Sequence, residues 1–182
     1  MADGSSQKEV GGGQLEERID LSVETGEKIA QAQSLIDTSP SNLPESLALL
    51  AALEKRCRVG NDTLSLVRVC ETSLQLCKDC SDEESLIATL KSLSTRRSQK
   101  TKVVSALVHK TIPWVLQKEG GGYVPVDVDS DDQKDSREKI VIALREITDG
   151  KIFLEAERAR LSRALAIIKV SVHGWSLISL KD

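Results

Sequence analysis

Cys77 and Cys80 form a Cys-x-x-Cys pair with Cys57 and Cys70 upstream, and four thiolates at such spacings can close a tetrahedral zinc site. Cys70 and Cys77, however, share a helical stripe with Leu66 and Leu74, where a free cysteine acts as a small buried hydrophobe. A redox role would need a βαβ setting, which the surrounding helical pattern does not supply. No metal site is therefore expected. Asp127, Asp129, Asp131, Asp135 and Glu138 match EF-hand loop positions 1, 3, 5, 9 and 12, where carboxylates ligate calcium. The sharp turn at the sixth position requires glycine and has Asp132, and Lys134 stands where an apolar residue is normal. A solvated insertion is the expected reading.

Arg96, Arg97 and Lys100, with Lys102, His109 and Lys110 beyond, form a basic cluster. Guanidinium groups pair bidentately with carboxylates, so Arg96, Arg97 and Lys100 are the candidate partner-binding residues, meeting acids either within the fold or on a partner. The plain alternative is a solvated helix start. Neither His109 nor His173 has an acidic or nucleophilic residue at a recognisable catalytic spacing. The triple glycines at 11 and 120 lack the lysine and the serine or threonine of a P-loop. No enzyme site and no cofactor are expected.

The elements that must carry these residues are helical. Residues 1–13 are expected to be a flexible tail and 14–169 a helical-repeat domain. A first helix is expected from Gln14 to Asp37, weakened by Gly26. Pro40 and Pro44 precede a helix ending near Val59, where Gly60 is expected to take a left-handed cap and Asp62 to open the next helix. Leu66, Val67, Cys70, Leu74 and Cys77 form that helix's apolar stripe, and Ser81 with Glu84 reads as a capping box for another. A helix over about 98–118 carries Val104, Leu107 and Val108, with Pro113 to kink or shorten it. Residues 119–134 read as a Gly- and Asp-rich loop before a helix with Ile140, Val141, Leu144 and Ile147 on its core face. Hairpin starts near 44 and 82 are spaced close to the period of helical-pair solenoids, while the next start, near 137, comes later because the long loop absorbs the excess.

After Gly150 and as far as Lys169 no glycine or proline interrupts a run of good helix formers. Glu155 with Arg158, and Glu157 with Arg160, are acid-before-base pairs at the i,i+3 spacing. Leu154, Leu161, Leu165 and Ile168 make one apolar face, and Ile152, Ala156 and Ala159 make another. A helix apolar on two sides is expected to have neighbours on both, as in a stacked array of helical hairpins. An ordinary bundle helix fits the periodicity equally well.

Composition narrows the class. With 182 residues, 40% apolar and 29% charged, the chain resembles a soluble globular protein. Trp114, Tyr123, Phe153 and Trp175 are its only aromatic residues, so a core must come from aliphatic side chains. A formal charge of −3 argues against a nucleic-acid partner. No secretory h-region or bilayer-length apolar run occurs, so no membrane association and a cytoplasmic and nuclear location are expected.

Three segments then point to one family. GKIFLEAERARL (Gly150 to Leu161) resembles the "GKI, aromatic, E, ERARL" signature of the 26S proteasome non-ATPase regulatory subunit 12 family. LEKRCR (Leu53 to Arg58) resembles its LEK helix end, and LSTRRSQKTKVV (Leu93 to Val104) resembles its LSKRRSQLKQAV segment. The ordered matches cover roughly residues 44–169. The resemblance implies an all-α fold, an α-solenoid of antiparallel helical hairpins forming a TPR-like arm N-terminal to a PCI winged-helix part. That PCI part is expected to be absent here. It further implies a non-catalytic structural subunit of the proteasome lid, scaffolding assembly for ubiquitin-dependent degradation with other lid and regulatory-particle subunits as partners. A PCI-type subunit of the cullin-deneddylating signalosome is the nearest alternative, and an unrelated helical nucleic-acid or metal-binding module the next. After Lys169 the chain departs from the family pattern, so residues 170–182 are expected to be an unstructured tail of a truncated or alternatively spliced form.

Overall fold

Aliphatic residues at helical spacing build seven α-helices among the described residues of the computed structural model, which cover the backbone over 19–178 and side chains to 170. These are α1 (Ser22–Thr38), α2 (Leu43–Val59), α3 (Thr63–Asp79), α4 (Glu83–Thr95), α5 (Thr101–Val115), α6 (Asp131–Thr148) and α7 (Glu155–Ile178). The tail expected over 1–13 lies outside the described residues. Where the first helix was expected from Gln14, residues 19–21 are not helical and α1 opens at Ser22. Asp20 Oδ1 accepts from the Ser22 N–H and Asp62 Oδ2 from the Leu21 N–H, which holds this entry turn in place.

The α2–α3 and α3–α4 turns share one design. In each, a residue with positive φ (Asn61 at 58°, Ser81 at 54°) precedes an aspartate that caps the next helix. Asp62 Oδ1 accepts from the Ser65 N–H, and Asp82 Oδ1 from the Ser85 N–H. Asp82 also accepts from the Ser85 hydroxyl, so hydrogen bonds hold its pKa below the usual carboxylate value. Two expectations are corrected. The cap of α4 is Asp82, not Ser81, and the left-handed residue is Asn61, not Gly60, whose φ is −76°. Gly60 is needed for space, because a Cβ there would lie 3.1 Å from the Arg56 carbonyl oxygen and 3.3 Å from Ile19 Cβ.

The expected loop over 119–134 is shortened to residues 126–130 by regular structure on either side. Strands β1 (Leu116–Glu119) and β2 (Gly122–Pro125) pair antiparallel, joined through Gly120 and Gly121 with φ of +54° and +81°. Positive φ at both central residues defines the two-residue turn whose twist matches paired strands. α6 opens earlier than expected because the Ser130 side chain accepts from the Gln133 N–H, with Asp131 and Asp132 placed favourably against the positive helix end. Pro113 sits in the last turn of α5, which ends two residues on as the sequence anticipates.

Helices α1, α3 and α5 pack in one layer, with α3 between the others, and α2, α4 and α6 form a second layer across them. This two-layer array of antiparallel hairpins is the all-α solenoid arrangement expected. The core is aliphatic, with Leu50, Leu66, Leu74, Leu90, Leu107 and Leu144 fully buried. α7 packs on α6 and β2 with Leu161, Leu165 and Ile168 buried, as is Leu154 in the turn just before it. Its second apolar face has no neighbour among the described residues: Ile152 is 88% exposed, and Ala156 and Ala159 are exposed. The backbone of α7 also continues to Ile178, where an unstructured tail was expected from 170. A helix once nucleated gains one hydrogen bond per added residue, which outweighs the weak propensity of Val170 and Val172. Residues 179–182 lie outside the described residues.

Candidate functional site

Glu54 occupies the buried stripe of α2 with Leu50, Leu53 and Cys57, and is 1% exposed. A charge in that position needs partners. Arg58, one turn along α2, supplies Nε at 3.1 Å, and Arg96 pairs with the other carboxylate oxygen. Gln99 Nε2 donates to the Leu93 carbonyl at 2.8 Å and lies 3.5 Å from Glu54 Oε1. The α4–α5 turn can reach Glu54 because Ser98 adopts a positive φ of 62° and folds the chain back over the end of α2.

The three candidate residues on this turn therefore differ. Arg96 is turned inward on Glu54. Lys100 Nζ donates to Asn61 Oδ1 in the α2–α3 turn. Arg97 exposes its side chain while its carbonyl accepts from Arg58 Nη1 at 3.1 Å. The turn ties the α2, α3 and α4 ends together and leaves Arg97 facing solvent. Sequence reasoning missed Glu54, although a carboxylate in the stripe formed by residues 50, 53, 54 and 57 was a visible signal. Two segments singled out in the sequence, LEKRCR and LSTRRSQKTKVV, meet in this network.

A groove of about 260 Å³, which Glu54 and Arg96 help to line, separates α2 from α4. Leu47 and Ala51 form one wall, Ala88, Thr89 and Ser92 the other, and Ser73 of α3 the floor. At the other end of the array, Glu157 of α7 lies 3.2 Å from His109 Nε2 of α5 and 3.4 Å from Arg160 Nη1. Burial works against its carboxylate, but its own backbone N–H and His109, with the charges of His109 and Arg160, outweigh that and lower its pKa. The expected Glu157–Arg160 pair forms, whereas Arg158 meets Asp149 at 2.6 Å.

The cysteines are free, and Cys57, Cys70 and Cys77 are buried, with Cys57 Sγ 3.8 Å from Thr25 Oγ1 of α1 and Cys77 Sγ 3.8 Å from Thr89 Oγ1 of α4. Burial pushes the Cys70 thiol up to about 12 and the Cys77 thiol up to about 11, a setting that disfavours the thiolate that metal ligation requires. The acidic residues that matched an EF-hand are divided between two elements. Asp127 and Asp129 precede α6, while Asp131 and Asp135 lie on it and pair with Lys134 and Lys139. They do not share one loop. Among the described residues no helix is long and apolar enough to cross a membrane.

Residues 45–176 match the family described as PSMD12/CSN4, N-terminal. The matched span contains the Glu54 network and α7 as far as residue 176. The 26S proteasome non-ATPase regulatory subunit 12 of Dictyostelium discoideum is 32% identical over 127 residues, covering 70% of this chain and 26% of that protein. The 26S proteasome regulatory subunit rpn501 of Schizosaccharomyces pombe is 31% identical over 148 residues, covering 81% of this chain and 30% of that protein. Homolog A of subunit 12 from Arabidopsis thaliana is 28% identical over 116 residues, covering 64% and 23% respectively. The chain thus spans less than a third of the length of these curated relatives.

Proposed function

The chain belongs to the PSMD12/CSN4 N-terminal family, and on that premise we propose that it acts as a non-catalytic structural subunit of the proteasome regulatory-particle lid. Its role would be to scaffold assembly for ubiquitin-dependent protein degradation in cytoplasm and nucleus. The observation that carries this reading is the likeness of most of the chain to relatives named as proteasome regulatory subunits. Physically, a two-layer helical array offers long faces on which several partners can dock at once. Arg97, exposed on a turn whose other cations are anchored within the fold, supplies a rigid contact for acidic surfaces of other lid and regulatory-particle subunits. The Glu54 network acts by holding that turn in one shape.

The family description also covers a signalosome subunit. The relatives' proteasomal names favour the lid over that alternative. Native affinity purification of the tagged chain followed by mass spectrometry decides between them. Lid subunits at near-stoichiometric yield are expected; recovery of signalosome subunits, or of neither complex, would overturn the reading.

A further inference from the structure

The face of α7 turned away from the core carries Ile152, from the turn just ahead of the helix, then Ala156, Ala159, Arg163, Ala166 and Val170. Steps of three and four residues set them on one seam, opposite the buried Leu161, Ala164 and Ile168. All six are exposed, Ile152 and Val170 by 88% and 71%. The seam is bulky at its two ends and mostly alanine between them. Arg163 is its one charged member, and its Nη1 lies over the hairpin, 3.2 Å from where a Cβ on Gly122 would stand, so the charge is carried to one side.

The flanks of the seam are ordered as well. Glu155, Ser162 and Lys169 follow one edge at seven-residue spacing, and Phe153, Arg160 and Ile167 follow the other. Several charges of α7 are matched within the chain: Glu157 meets His109 and Arg160, Arg158 meets Asp149, and Arg160 also lies over the Tyr123 ring. Glu155 and Lys169 are exposed and have no ion-pair partner among the described residues.

We propose that this seam binds the same seam of a second copy of the chain, with the two α7 helices antiparallel about a two-fold axis beside residue 161. In a two-fold contact residue i meets j and j meets i. Turning one helix end for end sets Ile152 on Val170 of the second copy, Ala156 on its Ala166 and Ala159 on its Arg163. The alanines between the bulky ends let the two backbones approach closely. On one flank Glu155 meets Lys169 of the second copy at each end, and the two Ser162 hydroxyls face each other on the axis. On the other flank Phe153 meets Ile167, and each Arg160 near the axis is already matched by the Glu157 of its own chain. Charge complementarity thus sets both the occupant and its direction, because a parallel pair would put Arg163 against Arg163 and hold Glu155 a seam's length from Lys169. A single helix pair about 25 Å long makes a small interface, so Kd is expected on the order of tens of micromolar and the chain is monomeric in a dilute melting scan. This association goes beyond the scaffolding reading and does not depend on it.

The test is sedimentation equilibrium of the full chain from about 5 to 500 µM, a range that brackets that Kd. Glu155→Lys and Lys169→Glu should each weaken dimerisation about tenfold, and the double variant, which exchanges the charges, should restore it. Ala166→Asp should abolish dimerisation over the same range. Unchanged circular dichroism is expected throughout, since all three side chains are exposed. Direction is read by mixing Ala156→Cys with Ala166→Cys chains under mild oxidation and identifying the linked peptides by mass spectrometry. The mixed disulfide should form ahead of either like pair, because only opposed positions bring the two Cβ atoms close enough to bond. A chain that stays monomeric throughout, dimerisation untouched by Ala166→Asp, a double variant no better than the single ones, or faster disulfides between like chains would each overturn the proposal. So would photo-crosslinks from position 159 that land within residues 171–182 of the same molecule, which would make that segment the cover. No lid component enters these measurements, so their failure leaves the lid assignment standing, and failure of lid capture leaves this inference standing.

Discussion

Glu54 is the residue on which the candidate turn depends, because a single buried carboxylate holds both Arg58 and Arg96. Glu54→Gln keeps the volume and removes the charge, leaving two guanidinium groups facing each other. Since Arg58 and Arg96 retain 20% and 27% exposure, water relieves part of that penalty. The expected loss is about 2 kcal/mol, read from the urea midpoint. Adding Arg96→Gln should cost little more, because the interaction is already broken; full additivity would mean that the pair contributes nothing. Glu157 gives a pH-dependent counterpart. Its pKa in the folded protein lies below the ordinary 4.5, so it stabilises above that value and the contribution disappears as pH falls through the lowered one. Glu157→Gln should therefore melt below the parent near neutrality, and in thermal scans across pH the gap should close as pH falls through the lowered value. A gap independent of pH would assign the effect to packing.

At the scale of elements, the β1–β2 hairpin is the part of the fold that sequence patterning did not disclose. Its strands are four residues each, too short for alternation to stand out, and three successive glycines read more naturally as a loop. The helices were legible because stripes such as Leu66, Cys70, Leu74 and Cys77 repeat over several turns. The Asp62 cap was legible as a residue, but choosing Asp82 over Ser81 needed the backbone φ of Ser81. Once formed, the hairpin is fastened to α7 by Arg160, whose guanidinium carbon lies 4.5 Å from the centre of the Tyr123 ring. A double-mutant cycle over Tyr123→Leu and Arg160→Met should give a coupling of about 0.5–1 kcal/mol, as for cation–π contacts that remain partly in water. A coupling of zero would leave the hairpin held by β2 backbone and apolar packing alone.

Across the whole molecule, the solenoid explains why one half of the reading of α7 held and the other did not. A helical projection reveals which faces are apolar, and it found both the Leu161 face and the Ala159 face. It cannot supply the neighbour that buries a face, and among the described residues only the Leu161 face has one. The same limit applied to Arg96: residue type indicated a carboxylate partner, yet the partner lay on α2, more than forty positions away in sequence. These placements make opposite demands on two neighbouring positions. Ala159→Asp should leave the melting temperature and helicity of the isolated chain unchanged, because the new charge stays in water. Leu161→Ala, fully buried two residues on, should cost about 2–5 kcal/mol through lost transfer energy and the cavity it leaves. If Ala159→Asp proved comparably destabilising, that face would have to be covered by a second molecule at the assay concentration. Dilution separates the cases, because protection by a second molecule falls with concentration while burial within one chain does not.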